Sequence, residues 1–296
     1  MRKHRAVLDL AGLAILMAAV ALACGGDSAP QERPVEEASS PQRIVAIAPG
    51  ITEMLFTLGL GEQVVGVGDY ARWPPEVASK PKLGGLFDSR LESMAALNPD
   101  LAILLPSEEQ LRRNLEKMGI EVLTVRSETL ADVAEMAVLI GERCGVEAAA
   151  AEFLDRWDRQ LAPRARTHAP RVLLSVTREP GRMADVLVGG PGTFLDELLD
   201  RLGAVNVMAD AAMSYPQVGL EEIVVRGPEV VIELQAVPGE YAKLPGDWAQ
   251  VAGRLGVGEL CVWVVAGDHV LIPGPRIPRL YRELEDALVG CAKRSE

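Results

Sequence analysis

The chain has 296 residues, 49% of them hydrophobic, and a formal net charge of −12. Three basic residues and one acidic residue fall within positions 1–23, so the remainder carries −14. That acidic balance argues against nucleic acid or anionic lipid as a partner of the folded body. About 255 residues follow Pro41, enough for one large lobe or two modest lobes with real cores.

The N-terminus has the layout of a secretory signal. Three of the first five residues are basic, and an uncharged apolar run from Leu10 to Ala23 follows, short for a membrane span. Small residues then lead into Cys24, which resembles the bacterial lipobox and implies that Cys24 is lipidated. An ordinary signal peptide is the alternative. Residues 24–41 are rich in Gly, Ser, Pro and Glu and are predicted to be a flexible tether.

Beyond the tether, short apolar runs alternate with helical patterns. Strands are predicted at 43–48, 64–67, 101–105, 121–125, 171–176, 186–188, 230–234 and 262–265. Helices are predicted at 52–58, 91–97, 107–118, 129–143, 147–161, 193–202, 220–225 and 276–289. Apolar strands separated by helices indicate buried, mostly parallel sheets, and therefore an α/β fold.

One pattern occurs twice along the chain. A Leu-Glu pair precedes a Pro followed by an acidic residue and an apolar strand, with eight positions from Leu to Pro in both copies. The copies are Leu91-Glu92 with Pro99-Asp100, and Leu220-Glu221 with Pro228-Glu229. Each follows a helix predicted to begin at a threonine, Thr52 or Thr193, and to end at a glycine. The repeat predicts two pseudo-symmetric lobes joined by one long helix.

These observations divide the chain into five predicted regions. They are a signal peptide (1–23), a lipidated cysteine and tether (24–41), an N-terminal α/β lobe (42–143), an interlobe helix (144–167) and a C-terminal α/β lobe (168–296).

Several segments, in order along the body, resemble the iron-chelate and cobalamin-type periplasmic binding proteins. The matching segments are 43–53, 65–75, 91–101, 190–194, 203–207, 215–218 and 273–277. Tyr70 with Trp73-Pro74-Pro75, and Tyr215-Pro216-Gln217, are most similar to the cobalamin-binding branch.

The resemblance implies a substrate-binding protein rather than an enzyme. A monomer anchored outside the cytoplasm would bind cobalamin in an interlobe cleft, with little hinge motion. It would deliver the ligand to an ABC permease dimer with a cytoplasmic ATPase. The binding protein itself would need no cofactor, and a corrinoid or ferric chelate would be its cargo.

Glu92 and Glu221 are the predicted docking residues. Each lies in the first turn of a short helix, where the helix dipole stabilises a carboxylate. They match the family's docking glutamates, which pair with permease arginines. Simple dipole complementation is the alternative for either residue.

Ligand contacts are predicted in loops at strand ends facing the cleft. The predicted contacts are Tyr70, Trp73, Phe87, Asp88, Tyr215, Asp268 and His269. Tyrosine rings with polar tips suit a broad ligand of mixed polarity. His269 is otherwise expected to be a solvated loop residue, with axial metal ligation as a minor alternative.

Other functions compete with this interpretation. A ferric-siderophore or haem carrier of the same fold is the main alternative. A metal-dependent hydrolase and a Zn or Mn carrier fit less well, because the sequence after the signal has two histidines, in different regions, and no hydrolase motif. A sensing or adhesion lipoprotein of the same fold is a further rival, which failure to bind any chelate would favour. Cys261 and Cys291 are predicted either to form a disulfide or to pack in the core, and the odd cysteine count predicts a free thiol.

Overall fold

A computed structural model of the protein describes residues 40–86, 88–236, 244–257 and 260–295. The predicted signal peptide, the predicted lipidation site Cys24, nearly all of the tether and the predicted ligand contact Phe87 lie outside this range. In the part of the chain that is described, no helix is long and apolar enough to cross a membrane.

The first lobe contains a four-stranded parallel sheet in the order β2-β1-β3-β4. Its strands are β1 (Ile44–Ala46), β2 (Val64–Val67), β3 (Leu101–Leu104) and β4 (Glu121–Thr124). Its helices are α1 (Pro49–Thr57), α2 (Leu91–Ala96), α3 (Glu109–Lys117) and α4 (Leu130–Cys144), with 3-10 turns at Pro75–Ser79 and Pro106–Glu108. The two central strands are buried along their whole length, as their unbroken apolar sequences predict.

The second lobe contains a six-stranded sheet in the order β10-β9-β5-β6-β8, with β7 also paired to β5. Its strands are β5 (Arg171–Thr177), β6 (Val186–Val188), β7 (Val205–Asn206), β8 (Gln217–Val218), β9 (Val230–Gln235) and β10 (Cys261–Ala266). Its helices are α6 (Phe194–Arg201), α7 (Leu220–Arg226), α8 (Leu244–Asp247), α9 (Ala249–Leu255) and α10 (Ile277–Ser295). Only the pairings of β6 are antiparallel, so the fold has the predicted mostly parallel sheets.

Helix α5 (Glu147–Gln160) joins the two lobes in sequence. It packs against α4, and a Cβ placed on Gly141 would come within 2.8 Å of the Ala150 Cβ, so the two helices approach closely there. Its buried residues are Ala150, Phe153 and Trp157, which share one face at helical spacing. This face keeps the joining helix fixed to the body.

The two lobes share one hydrophobic core. A single cluster of buried side chains includes Ile103 of the first sheet, Trp157 of α5 and Ile232 of the second sheet. Smaller clusters cover the outer faces of each sheet. Because apolar contacts continue from one sheet to the other, moving the lobes apart would expose buried surface.

Three details differ from the sequence prediction. Thr52 does not begin α1: the helix begins at Pro49, and the buried Thr52 hydroxyl instead donates to the Ala48 carbonyl oxygen at 3.3 Å. The short strands β7 and β8 and the helices α8 and α9 were not predicted, because segments of two to seven residues carry little periodicity. Helix α10 continues to Ser295, beyond its predicted end.

The cysteines settle the choice that the sequence left open. Cys261 and Cys291 form a disulfide that joins β10 to α10, with Cα atoms 5.7 Å apart. Cys144 is a buried free cysteine at the end of α4, and burial raises the pKa of its thiol to about 11. At neutral pH it is therefore protonated and unreactive.

Candidate functional site

Two of the predicted first-lobe contacts, Tyr70 and Asp88, lie in loops that pack against each other. The Asp69 carboxylate accepts the Gly84 N–H at 3.1 Å, and the Asp88 carboxylate accepts the Gly85 N–H at 2.8 Å. A Cβ placed on Gly85 would lie 3.1 Å from the Tyr70 ring, so that glycine permits the close approach. The loops thus bring Tyr70 and Asp88 together and leave Tyr70 67% exposed.

The predicted second-lobe contact Tyr215 lies just before β8 and is 40% exposed. The Gly190 N–H donates to the Ser214 carbonyl at 2.8 Å and fixes this segment beside the start of α6. Burial, with a smaller contribution from Glu128 of the first lobe, raises the pKa of the Tyr215 hydroxyl. Tyr215 is therefore close enough to the first lobe to be influenced by its charge.

Glu128 also marks one place where the lobes meet. Its carbonyl accepts the Phe194 N–H at 2.8 Å. The Leu130 N–H donates to the Glu197 carboxylate at 2.6 Å. Through these two bonds the amino-terminal ends of α4 and α6, one from each lobe, are tied together.

An ion pair marks a second meeting place. Arg276 of the second lobe donates through Nη2 to Glu53 Oε1 at 2.5 Å and through Nε to Oε2 at 2.9 Å. Its Nη1 donates to Asp268 at 2.7 Å, and its guanidinium lies 5.4 Å from the centre of the Trp73 ring. The predicted ligand contacts Trp73 and Asp268 are thus both engaged by Arg276, in a network that holds the lobes together.

The backbones cross closely beside that ion pair. A Cβ on Gly50 would fall 2.2 Å from the Pro273 carbonyl oxygen, and one on Gly274 would fall 3.1 Å from the Gly50 Cα. Both positions need glycine because no side chain fits between these two backbone segments.

His269 is not the solvated loop residue that the sequence predicted. It is only 1% exposed, and its Nε2 lies 2.7 Å from Glu283 Oε2 of α10. The turn after β10 folds down onto α10, which sequence patterning does not reveal. In this structure the imidazole is not positioned to contact a ligand, and no three His, Cys, Asp or Glu side chains among the described residues could hold a metal.

The two predicted docking helices are built alike. Both begin at a leucine, with Glu92 in the first turn of α2 and Glu221 in the first turn of α7. Both glutamates are exposed, while Met94 and Ile223, two residues further on, are fully buried. The same side of each helix therefore faces its lobe, and equivalent positions carry the carboxylate to solvent.

The ends of these helices are also held alike, by residues that the sequence analysis missed. Arg43 at the start of the first sheet donates through Nη2 to the Leu97 carbonyl at 2.7 Å, and Arg171 at the start of the second donates through Nε to the Gly227 carbonyl at 3.1 Å. The carboxylates of Asp100 and Glu229 accept the main-chain N–H groups of those arginines, at 3.0 and 2.9 Å.

The backbone after each helix shows the same equivalence. Asn98 and Gly227 each precede the repeated proline, and both have left-handed φ angles, 44° and 59°. The sequence held a signal for these features, because Arg43 lies directly before the first strand of the first lobe and Arg171 is the first residue of the first strand of the second.

The two docking positions differ in one respect. Glu221 forms an ion pair with Arg254 of α9. In the described part of the chain Glu92 has no such partner. A basic group approaching Glu221 would have to displace Arg254, whereas one approaching Glu92 would not.

Comparison with known proteins identifies the family. The periplasmic binding protein profile matches residues 44–236. The chain is 27% identical over 303 residues to "Uncharacterized ABC transporter substrate-binding lipoprotein YvrC" of Bacillus subtilis, covering 93% of this chain and 95% of that one. It is 25% identical over 241 residues to a "Vitamin B12-binding protein" of Vibrio cholerae, covering 79% and 84%.

Among solved structures, the periplasmic heme binding protein HutB of Vibrio cholerae has the same fold. It superposes with a TM-score of 0.72 at 20% identity, covering 83% of this chain and 98% of that one. With a profile match over most of its length and a bilobal α/β fold, the chain belongs to the periplasmic binding protein family.

Proposed function

We propose that the protein is the substrate-binding subunit of an ABC importer. It binds a small ligand between its lobes and delivers it to a permease driven by a cytoplasmic ATPase. The observation that carries this proposal is the matched construction of α2 and α7, which present Glu92 and Glu221 from equivalent positions. The name of the Bacillus subtilis relative, which aligns along nearly the whole chain, supports the same function.

The docking role follows from exposure and charge. Two carboxylates held at equivalent places suit a partner that carries basic groups in a similarly paired arrangement. The strongly acidic chain favours approach to such a basic surface. Neither glutamate is needed for its own lobe's core, because both side chains are exposed.

The ligand is proposed to be cobalamin, bound by Tyr70, Asp88 and Tyr215. The tyrosines are exposed, one on each lobe, and the Vibrio cholerae relative is named as a vitamin B12-binding protein. Phe87, which adjoins Asp88, remains a prediction. His269 is withdrawn as a contact because it is buried.

A ferric siderophore or haem is the second candidate, supported by the fold shared with the heme binding protein. An anionic chelate requires available basic groups in its site. Arg178, however, is buried and pairs with Glu233 and Asp247, while Arg182 pairs with acidic neighbours in its own loop. Arg72, two residues after Tyr70, is exposed and has no ion pair among the described residues, so it is available to an anionic chelate and ion pairing alone does not choose between the two candidates.

The protein is proposed to act outside the cytoplasm, anchored through Cys24. The signal-like N-terminus and the cysteine after small residues motivate this location. A disulfide between Cys261 and Cys291 is compatible with an oxidising compartment.

The ligand assignment can be tested by thermal unfolding with cyanocobalamin, haem and ferric hydroxamate and catecholate complexes. A ligand that binds only the folded state raises the midpoint temperature of thermal unfolding by mass action. We expect cyanocobalamin to raise this midpoint temperature and to be recovered unaltered. The combined Tyr70→Ala and Tyr215→Ala variant should lose the shift, whereas Met118→Ala, which removes an exposed apolar side chain just after α3, should retain it.

A shift with haem or a ferric complex alone would replace cobalamin with the second candidate. No shift with any of the four would favour a sensing or adhesion lipoprotein. Chemical conversion of the ligand would show an enzyme.

A further inference from the structure

We propose that the protein has a second binding site, specific for a small organic phosphate, where α5 meets the start of α10. A cavity of about 290 Å³ lies there. Its lining residues are Thr57, Trp73, Phe153, Arg156, Trp157, Gln160, Pro275, Arg276, Pro278, Arg279 and Arg282. Nothing in the ligand-binding proposal above requires this cavity.

The charge of the lining is the first argument. Four arginines line the cavity and, within the described ranges of the chain, no carboxylate does, although the whole sequence carries a net charge of −12. Arginine presents a planar fork of donors that matches phosphate oxygens. A cavity walled by this side chain in an acidic protein therefore selects anions.

The four guanidinium groups are not equally available. Arg276 is committed to Glu53 and Asp268. Arg156 and Arg279 each have one carboxylate partner, Glu152 and Glu283, a turn away on the same helix. These partners do not line the cavity.

Arg282 is the most available of the four, because it has no ion pair within the described residues. A guanidinium with a single partner on one edge retains donors on the other. Arg156 and Arg279 can thus keep their ion pairs with Glu152 and Glu283 and still donate, together with Arg282, to an anion in the cavity.

Two neutral lining residues, Trp157 and Trp73, each carry an indole N–H donor. The Trp157 N–H has no hydrogen-bond partner among the described residues and is accessible to solvent, because the buried side-chain atoms without a partner do not include it. Trp73 likewise lines the cavity without a hydrogen bond from its indole in the described part of the chain. Both indole N–H groups are therefore available to a ligand in the cavity.

The guanidinium and indole N–H groups that line the cavity are hydrogen-bond donors, so a ligand with several acceptors suits it. Phosphate esters offer several oxygen acceptors and negative charge at physiological pH, which suits Arg282 and the remaining donors of Arg156 and Arg279. The cavity has the volume of about ten water molecules in the liquid, more than one inorganic anion needs and suited to a phosphate with a short organic group. The two indoles and Phe153 provide an apolar wall for that group.

This cavity is distinct from the proposed cobalamin contacts. Tyr70, Asp88 and Tyr215 do not line it, and among the predicted ligand contacts that the structure describes, Trp73 alone does. The phosphate could come from a soluble ester or from the headgroup of a phospholipid, since both present the same group.

The test is calorimetric titration of the full-length chain at low ionic strength with glycerol 3-phosphate, and separately with a short-chain phosphatidylglycerol kept below micelle formation. The double variant Arg156→Gln and Arg282→Gln removes two of the available guanidinium groups. The matched control is the double variant Arg113→Gln and Arg159→Gln, which changes the net charge equally: both arginines are on helices and pair with a carboxylate one turn away, Glu109 and Asp155, but neither lines the cavity.

We expect glycerol 3-phosphate to bind the wild-type chain, and the double variant to bind it at least about tenfold more weakly, the effect of losing charge-assisted hydrogen bonds. The control should bind within about twofold of wild type. Binding of the phospholipid alone would identify the headgroup as the source. Absence of binding for both probes, or equal weakening in the control, would overturn the proposal.

Discussion

Glu108 shows what burial does to a single charge. It is buried at the junction of β3 and α3, where its Oε2 accepts the Leu105 N–H at 2.8 Å. Its Oε1 has no partner among the described residues. Burial, only partly offset by the Leu105 hydrogen bond, raises the pKa of the carboxyl from 4.5 to about 7.

A raised pKa makes this residue a source of pH-dependent stability. Between pH 4.5 and 7 the folded chain holds a proton on Glu108 that the unfolded chain has released, so stability falls as pH rises through that window. Glu108→Gln should flatten this decline when urea unfolding is compared at pH 5 and 7.5. A variant with the same slope as wild type would show that Glu108 is ionised in the folded protein throughout.

Arg276 and Glu53 make a second residue-level prediction. Removing one partner of a buried pair leaves the other charge uncompensated, at a cost of about 3–5 kcal/mol. Arg276→Met should therefore lower the free energy of unfolding at pH 7 by about that amount. Adding Glu53→Gln should recover part of the loss, because the stranded carboxylate is gone. A loss below about 1 kcal/mol in the single variant would mean that the pair is hydrated and weak.

At the scale of elements, the crossing of α1 with the segment before α10 depends on Gly50. Gly50→Ala would push a methyl group into the Pro273 carbonyl oxygen, and overpacking of this kind costs about 1–3 kcal/mol. Gly253→Ala is the matched control: Gly253 lies in α9 with nothing within 4 Å of its Cβ position.

We expect Gly50→Ala to destabilise the chain and Gly253→Ala to stabilise it by about 0.5–1 kcal/mol through helix propensity. Denaturant unfolding measures both. Equal effects of the two substitutions would show that the backbones can separate at the crossing without cost.

Long helices with a clear hydrophobic pattern were predicted well from the sequence. Helix starts and very short strands were predicted poorly where contacts with distant residues determine them. Helix α4 begins directly after Thr129, where its start was predicted, and α5 covers almost all of its predicted range. The prediction that α1 begins at Thr52 was wrong, because Pro49 already fixes a helical φ at the first position of the helix. Two-residue strands such as β7 depend on pairing across the sheet, which no local pattern contains.

At the scale of the molecule, the repeat was the most informative feature. It predicted two similar lobes and corresponding positions for Glu92 and Glu221, and both glutamates are exposed in first helical turns. The junction between the lobes could not be predicted. The partners in the Glu53–Arg276 pair are 223 residues apart, and His269 is buried by a turn whose direction depends on α10.

The shared core also bears on how the lobes move. Because one apolar cluster includes residues of both sheets and of α5, a wide opening would expose buried surface. The two ties, at Glu128 with Phe194 and at Glu53 with Arg276, add polar restraints on the same motion. Ligand entry is therefore expected to rely on loop movement more than on rotation of whole lobes.

The most direct test of the account reverses both docking charges, with Glu92→Lys and Glu221→Lys together. The reconstituted importer should lose ligand uptake and stimulated ATP hydrolysis, while the soluble affinity for ligand stays within about twofold, since neither residue belongs to the proposed ligand contacts. Glu116→Lys with Glu147→Lys makes the same change of net charge at other exposed helical positions and should leave uptake intact. Normal uptake by the Glu92 and Glu221 variant would contradict the proposed docking surface.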